Sequence, residues 1–397
     1  MPVFNRRTLL ASGAGLCFTL AACHMKTVSV ASSLSFDRDI ALLFKEEMEG
    51  VNVPGMAIGL AKNGIIRHVQ GFGYANIEHQ TPVTVNSMFA LASVTKTVTA
   101  LAVMQLVDAN LIHLDDAVAP HLDFALINPH HPDKEITFRQ LLQHTSSISD
   151  KKAYEVDLRT HGGDTTMSLE TLVKSYLVVG GKLYDGKKCF TREHPGTIWA
   201  YSNVGYALLG YLVQRITKKE FSKSTRDTIF KPLGLAHMCW TIAEVPKDSR
   251  VTPYDYSDDK YVAEKPVGFP DAPAGMLRGS VEDILKFTSA CANEGKHDGA
   301  RILSKKSCEM MMVMEDIHGI PPYLTGQGLA WSAAVIKETA IPSHWGGDPG
   351  VYTAAYADPI RKTAVVVLMN RSATAQSRDI LRGIVTKLFD LSDEMGI

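Results

Sequence analysis

Apolar positions change their spacing four times along the 397-residue chain. After a polar stretch ending near Leu34, Ser35 stands where a helix N-cap belongs, and Ile40, Leu43, Phe44 and Met48 recur at helical spacing until Pro54 stops them. Two short apolar runs, 55–61 and 65–69, then flank Asn63-Gly64, a pair that suits the left-handed turn of a β-hairpin. From Ser93 to about Leu235 the pattern becomes helical, over 94–111, 138–142 and 204–216, with polar, Gly-rich loops between. Strand-like runs return at 350–357 and 363–369 around an Asp358-Pro359 turn. A last amphipathic helix carries Ile380, Leu381, Ile384, Val385, Leu388 and Phe389. This order predicts an α/β fold of multi-domain α+β character. One antiparallel sheet is built from both ends of the chain and flanked by N- and C-terminal helices, and a mostly helical lobe is inserted in it. The expected boundaries are an α/β lobe from 35–90 and 260–392 and a helical lobe over 91–259.

Composition narrows the function without naming it. At 45% hydrophobic, 21% charged and 8% aromatic, the chain is neither disordered, collagenous nor a polytopic membrane protein. Lysine and arginine number 41 against 42 acids, and the lysine pairs are scattered among carboxylates, so no basic footprint for nucleic acid exists. Six cysteines, with no CxxC pair, offer neither a disulfide scaffold nor a zinc site.

The first 22 residues read as an address rather than as fold. Asn5-Arg6-Arg7 precedes an uncharged stretch, 8–22, whose fifteen residues would span about 22 Å as a helix, short of a hydrocarbon core of roughly 30 Å. Leu20-Ala21-Ala22-Cys23 resembles a bacterial lipoprotein box, which implies a signal peptide over 1–22, acylation of Cys23 and a tether over 23–34. The expected location is then extracytoplasmic, lipid-anchored to a bacterial membrane; in a Gram-negative cell His24, in place of Asp, points to the outer membrane facing the periplasm. A plain secretory signal with an incidental Cys23 is the competing reading, and general and twin-arginine export both stay open. Cys189, Cys239, Cys291 and Cys308 then remain, with three possible pairings or four free thiols.

Three segments carry candidate chemistry. Serine followed three residues later by lysine sets an amine beside a hydroxyl on one helix face. The pattern occurs at Ser93-Val94-Thr95-Lys96, Ser149-Asp150-Lys151-Lys152 and Ser257-Asp258-Asp259-Lys260. Only Ser93 opens a long apolar helix, where orphan amides and the helix dipole favour an oxyanion; the other two lie in charged, loop-like surroundings whose carboxylates would pair with the lysine. Tyr201-Ser202-Asn203 leads into the next apolar helix. There a lysine cation would depress the phenol pKa and make Tyr201 a base, with Asn203 holding lysine and substrate. Tyr74-Ala75-Asn76 has the same form but continues the first hairpin and reads as sheet. The third segment, His344-Trp345-Gly346-Gly347-Asp348-Pro349-Gly350, enters the late hairpin with glycines that admit a ligand to a strand edge.

Taken in this order, the three segments resemble the serine β-lactamase and penicillin-binding protein superfamily, in its branch of class C β-lactamases, DD-peptidases and carboxylesterases. Pro54-Gly55-Met56-Ala57, the loop 141–147 and Pro273-Ala274-Gly275-Met276 look like further signatures, and the resemblance covers about 53–370. It implies Ser93 as acylated nucleophile, Lys96 as the amine sharing its proton, Tyr201 as general base, and Asn203 as orienting group. His344, Trp345 and Gly346 fall where the family has Lys-Thr-Gly, and the amides of Ser93 and Gly347 would form the oxyanion hole. His344 brings no fixed cation and Trp345 no hydroxyl, so the site should hold a substrate carboxylate less firmly than Lys-Thr-Gly does. Ser147 and Ile148 stand where the family loop has glycine and leucine.

The expected function is a serine hydrolase working through an acyl-enzyme on esters, β-lactams or D-amino-acid amides in the cell envelope, without metal or cofactor. Its partner is a small-molecule or peptidoglycan-like substrate, and its oligomeric state is open. The alternative is a penicillin-binding-like protein that captures cell-wall fragments or partners without turnover. No Gly-x-Ser-x-Gly elbow and no His-Glu-x-x-His occurs, and His130-His131 sits between prolines in a polar loop.

Overall fold

A computed structural model describes Met48 and residues 50–395. The leader, Cys23, the tether and the Ser35-capped helix therefore lie outside the described residues, Met48 excepted. Strands β1 (Gly55–Lys62) and β2 (Ile65–Asn76) form the expected first hairpin, with Asn63 and Gly64 both at positive φ in the turn. Strand β3 (Thr81–Pro82) edges it, so Tyr74-Ala75-Asn76 is sheet, as read from its position. From the far end of the chain come β4 (Ser332–Ile336), β5 (Thr339–Asp348), β6 (Val351–Asp358) and β7 (Thr363–Met369). The seven strands run in the order β4-β5-β6-β7-β1-β2-β3, antiparallel throughout, and the joint between the two chain ends is the β7–β1 ladder from Met56↔Met369 to Lys62↔Thr363.

Strands β1, β6 and β7 are buried along their whole length, which explains their near-continuous apolar sequence: a strand covered on both faces has no polar face to alternate with. On one face, Ala57, Gly59, Ala61, Val366 and Leu368 meet a helix at Val281–Ala292; a Cβ on Gly59 would lie 2.9 Å from the Leu285 side chain. The other face is covered by the C-terminal helix Ala375–Glu394, whose Phe389 lies edge-on to Tyr356 at 6.4 Å. The helix at Val281–Ala292 is a difference from the sequence expectation, which placed only the two terminal helices against the sheet. Its apolar run follows directly on the strand Arg278–Gly279 and is short, 12 residues against the 20 of the terminal helix.

In the helical part, α1 (Thr95–Asp108) is buried on almost every side, threonines and Lys96 included, so its lack of an apolar stripe reflects full enclosure rather than exposure. It packs against α2 (Asn203–Thr217) and the single helical turn Ala272–Gly275. Ser93 does not sit in α1 itself; it occupies a tight 3₁₀ turn, Ala92–Val94, that leads into it.

That turn is pressed against the sheet. Ala92 is held at φ 45°, a left-handed conformation that costs a non-glycine residue about 1 kcal/mol or more. The Thr353 hydroxyl on β6 donates to the Leu91 carbonyl at 2.8 Å. A Cβ on Gly346 would lie 2.3 Å from Thr353 Oγ1, 2.4 Å from the Leu91 carbonyl oxygen and 3.0 Å from Ala92 Cβ, so only glycine lets β5 come this close. Gly346→Ala should therefore lower unfolding stability by about 1–3 kcal/mol. Gly347→Ala, whose Cβ meets nothing within 4 Å, should stay within about 0.5 kcal/mol of the parent. Urea unfolding of both variants checks the contrast.

Candidate active site

The turn and the first residue pairs of α1 bring Ser93 and Lys96 together. The Lys96 amine is fully buried and has three acceptors around it: Ser93 Oγ at 3.2 Å, Asn203 Oδ1 at 2.7 Å and the Ala274 carbonyl at 2.8 Å. An ammonium has three donors, so no hydrogen bond is left unmade. Burial pushes its pKa down from the ordinary 10.5, while the charges of Asp271 and Asp150 pull it back up. The ring of Tyr201 lies with its centroid 4.7 Å from Lys96 Nζ.

Tyr201 and Asn203 are placed by the start of α2, and that start is organised by Asp150. Its carboxylate accepts from the Ser202 hydroxyl at 2.9 Å and from the backbone amides of Asn203 at 2.6 Å and Val204 at 3.1 Å, satisfying donors that a helix N-terminus leaves unpaired. The Ser202 hydroxyl accepts from the Gly205 amide in turn. Burial raises the Asp150 carboxyl, against the pull of these bonds and of Lys96. Sequence reasoning missed Asp150: it set aside Ser149-Asp150-Lys151-Lys152 as a surface pairing. The lysines do open a surface helix, Lys151–Val156, but the aspartate turns inward. The usable signal was proximity, since Asp150 comes three residues after the loop 141–147 that carries a family signature.

His144, from that same loop, accepts the Ser202 amide at Nδ1, 3.2 Å away, and its ring lies 4.3 Å from that of Tyr201. Enclosed this way, the Tyr201 phenol is pushed well above its ordinary 10.0 by burial, even though a hydrogen bond with Ser93 pulls it down. The sequence expectation was the reverse, that a lysine cation would depress the phenol. The same loss of water that raises the phenol drives the amine toward neutrality, so little cation is left to do so.

The sheet supplies the remaining wall. His344 on β5 donates from Nδ1 to the Ala330 carbonyl at 2.5 Å, and burial, with the charge of Lys96, pulls its pKa down to about 3. It is neutral at any ordinary pH, more firmly than a pKa near 6.5 would make it. The Trp345 indole N–H donates to the Tyr356 hydroxyl at 2.8 Å, and its ring lies 6.0 Å from Tyr323. Gly346 lies against the Ser93 turn, and Gly347 lines the same cavity as Ser93.

Two arms of a cleft meet at Ser93. One, about 1040 Å³, is lined by Asp150, Asp157, Asp271, Asp348 and Arg159; the other, about 920 Å³, by Trp199, Tyr201, Tyr323, His344 and Trp345. Burial lifts the Asp271 carboxyl above its ordinary value and lifts that of Asp348 to about 6, the latter against Arg159 and Arg278. Among the described residues no cluster of three or more His, Cys, Asp or Glu could hold a metal ion. Of the alternatives left open for Cys189, Cys239, Cys291 and Cys308, the structure has four free, buried thiols.

Comparison with known proteins places this geometry in a family. A family model described as Beta-lactamase matches residues 40–387. Protein flp of Staphylococcus aureus (strain NCTC 8325 / PS 47) is 25% identical over 254 residues, 63% of this chain and 48% of that protein, so the chain spans under half the length of that curated relative. Penicillin-binding protein 4 of Amycolatopsis lactamdurans is 28% identical over 349 residues, 85% of this chain and 86% of its own. The crystal structure of D-amino acid amidase from Ochrobactrum anthropi SV3 superposes with a TM-score of 0.72 at 20% identity, covering 91% of this chain and 100% of that one, a likeness of fold. The family match spans most of the chain and takes in every residue of the Ser93 site: the chain belongs to the beta-lactamase family.

Proposed function

We propose that Ser93 is acylated by esters and by amides of D-amino acids, with β-lactams as poorer substrates, and that water then releases the acyl group. One observation carries this reading: a lysine amine buried without a direct ion pair, 3.2 Å from a serine hydroxyl that lines both arms of the cleft. With two N–H groups donated to Asn203 and Ala274, a neutral Lys96 directs its lone pair at Ser93. The amine, lowered by burial, takes the Ser93 proton in preference to a phenolate that burial disfavours. Ser93 Oγ then forms its bond to the substrate carbonyl carbon, and the carbonyl oxygen becomes an oxyanion facing the amides of Ser93 and Gly347. As that intermediate collapses, the bond to the leaving group breaks and the proton reaches the departing oxygen or nitrogen through the neutral Tyr201 hydroxyl. Water repeats the sequence on the acyl-enzyme and restores Ser93.

The neutral His344 and the indole of Trp345 support the order of substrates. Neither supplies a cation for the carboxylate that penicillins carry, whereas the aromatic arm suits an apolar alcohol or acyl group. We further propose that the protein works at the cell envelope, tethered through acylated Cys23. The sequence around that cysteine supports this, and among the described residues no helix is long and apolar enough to cross a membrane. Cys23→Ser should abolish incorporation of labelled palmitate; retained label would place the anchor elsewhere.

Ser93→Ala should lose both the adduct with a fluorophosphonate or labelled penicillin and all turnover of nitrophenyl butyrate; equal turnover by parent and variant would overturn the acyl-enzyme reading. Tyr201→Phe should slow kcat at least about 10²-fold with an unchanged circular-dichroism spectrum. Nitrocefin should be turned over less efficiently than the short-chain ester in side-by-side kinetics. Because unprotonated Lys96 is the active form, kcat/KM should rise with pH along a limb centred well below 10.5. Asp271→Asn removes a charge that favours the protonated amine, so that limb should move to lower pH; a move upward would contradict the assignment.

A further inference from the structure

We infer that the acyl donor carries a cationic amine, received by Asp271 and Asp348 in the acidic arm of the cleft. This rests on the reading of Ser93 as nucleophile and specifies what that site selects. Four aspartates line the arm, but they are not equivalent. Asp150 is committed to the start of α2 through three hydrogen bonds. Asp157 is closed in a two-point pair with Arg159, Nε to Oδ1 at 2.6 Å and Nη2 to Oδ2 at 3.1 Å, which also removes the arm's one lining cation from use. Asp271 and Asp348 remain. Among the described residues neither carboxylate accepts a hydrogen bond from another side chain, and Asp271 has only its own backbone amide.

The groups nearest to them are already spoken for. Lys96 acts on Asp271 through its charge but spends its donors on Ser93, Asn203 and Ala274. Arg159 and Arg278 act on Asp348, but Arg159 is held by Asp157 and Arg278 donates to the carbonyls of Met276 at 2.6 Å and Val267 at 2.9 Å. Two half-buried carboxyls, Asp271 raised further by Asp150 and Asp348 by Asp271, with no ion pair to either, leave a negative field in a cavity whose wall includes Ser93. An ammonium supplies three donors and the missing charge. A carboxylate there would meet like charge, with the arm's one cation, Arg159, already paired to Asp157, while the other arm, aromatic and uncharged apart from a neutral histidine, takes the apolar part of the substrate. Asp348 follows directly on Gly347 in the chain, so the charge stands beside the strand edge proposed to hold the carbonyl oxygen.

The test compares D-alanine p-nitroanilide with its N-acetyl and N-succinyl derivatives. In parallel, it compares protection of Ser93 from fluorophosphonate labelling by benzylamine, benzyl alcohol and benzoate, a readout that needs no turnover. We expect the free amine to exceed the acetylated compound at least about tenfold in kcat/KM, and benzylamine to protect at least about tenfold better than benzyl alcohol. The succinyl compound and benzoate should rank last. Asp348→Asn should collapse both preferences to within roughly threefold, and Asp271→Asn gives the same reading should the first variant fail to fold. Ammonium and neutral compounds handled alike by a Ser93-dependent enzyme would overturn the inference and leave the acyl-enzyme reading standing. Undiminished hydrolysis and labelling in Ser93→Ala would instead remove the acyl-enzyme reading.

Discussion

An amine held away from water organises this molecule. Three segments remote in sequence meet at Lys96 Nζ: the turn before α1, Asn203 at the head of α2, 107 residues on, and the Ala274 carbonyl, 178 residues on. A lysine buried without all three partners would cost several kcal/mol, so the close approach of the two helices and the Ala272–Gly275 turn is a condition for keeping Lys96 inside at all. The same enclosure sets the chemistry. It drives the amine toward neutrality, holds the phenol of Tyr201 protonated and keeps His344 uncharged, so the centre of the cleft has hydrogen-bonding groups with little fixed charge.

Charge is displaced to one side instead. The acidic arm and the aromatic arm share Ser93 but differ in almost everything else, and the difference originates in β5, where Trp345 contributes to one wall and Asp348 to the other. Side chains alternate along a strand, so Trp345 and Asp348, three positions apart, face opposite ways and line different arms. The residues that separate the two arms thus flank the glycine that lets β5 close on the Ser93 turn.

Much of this could be read from the sequence. The hairpins announced themselves through Asn63-Gly64 and Asp358-Pro359, and the joining of both chain ends in one sheet followed from the order of the elements. Ser93, Lys96, Tyr201, Asn203 and His344 stood out by motif, and the fold brings them into one cleft. What the sequence did not disclose is energetic and three-dimensional. Asp150 looked like a surface acid because its lysine neighbours are surface residues, and only the inward turn of the chain separates them. The direction of the Tyr201 shift depends on how much water reaches the phenol, which no local spacing records. Asp271 bears no motif and Asp348 stood in the third segment without a role, and the two come together only through folding. The helix at Val281–Ala292 escaped notice because half the face it covers belongs to strands at the other end of the chain.

The clamp between Thr353 and Leu91 joins residues 262 positions apart. The serine turn, with Ala92 in a conformation it would leave if free, is completed only by strands β5 and β6 from the last sixth of the chain. During synthesis, then, Ser93 and Lys96 emerge early but have no wall to work against until nearly the whole polypeptide exists. A chain that stops short of β6 lacks the strands against which the Ser93 turn is held, so the turn takes its shape only when the sheet closes.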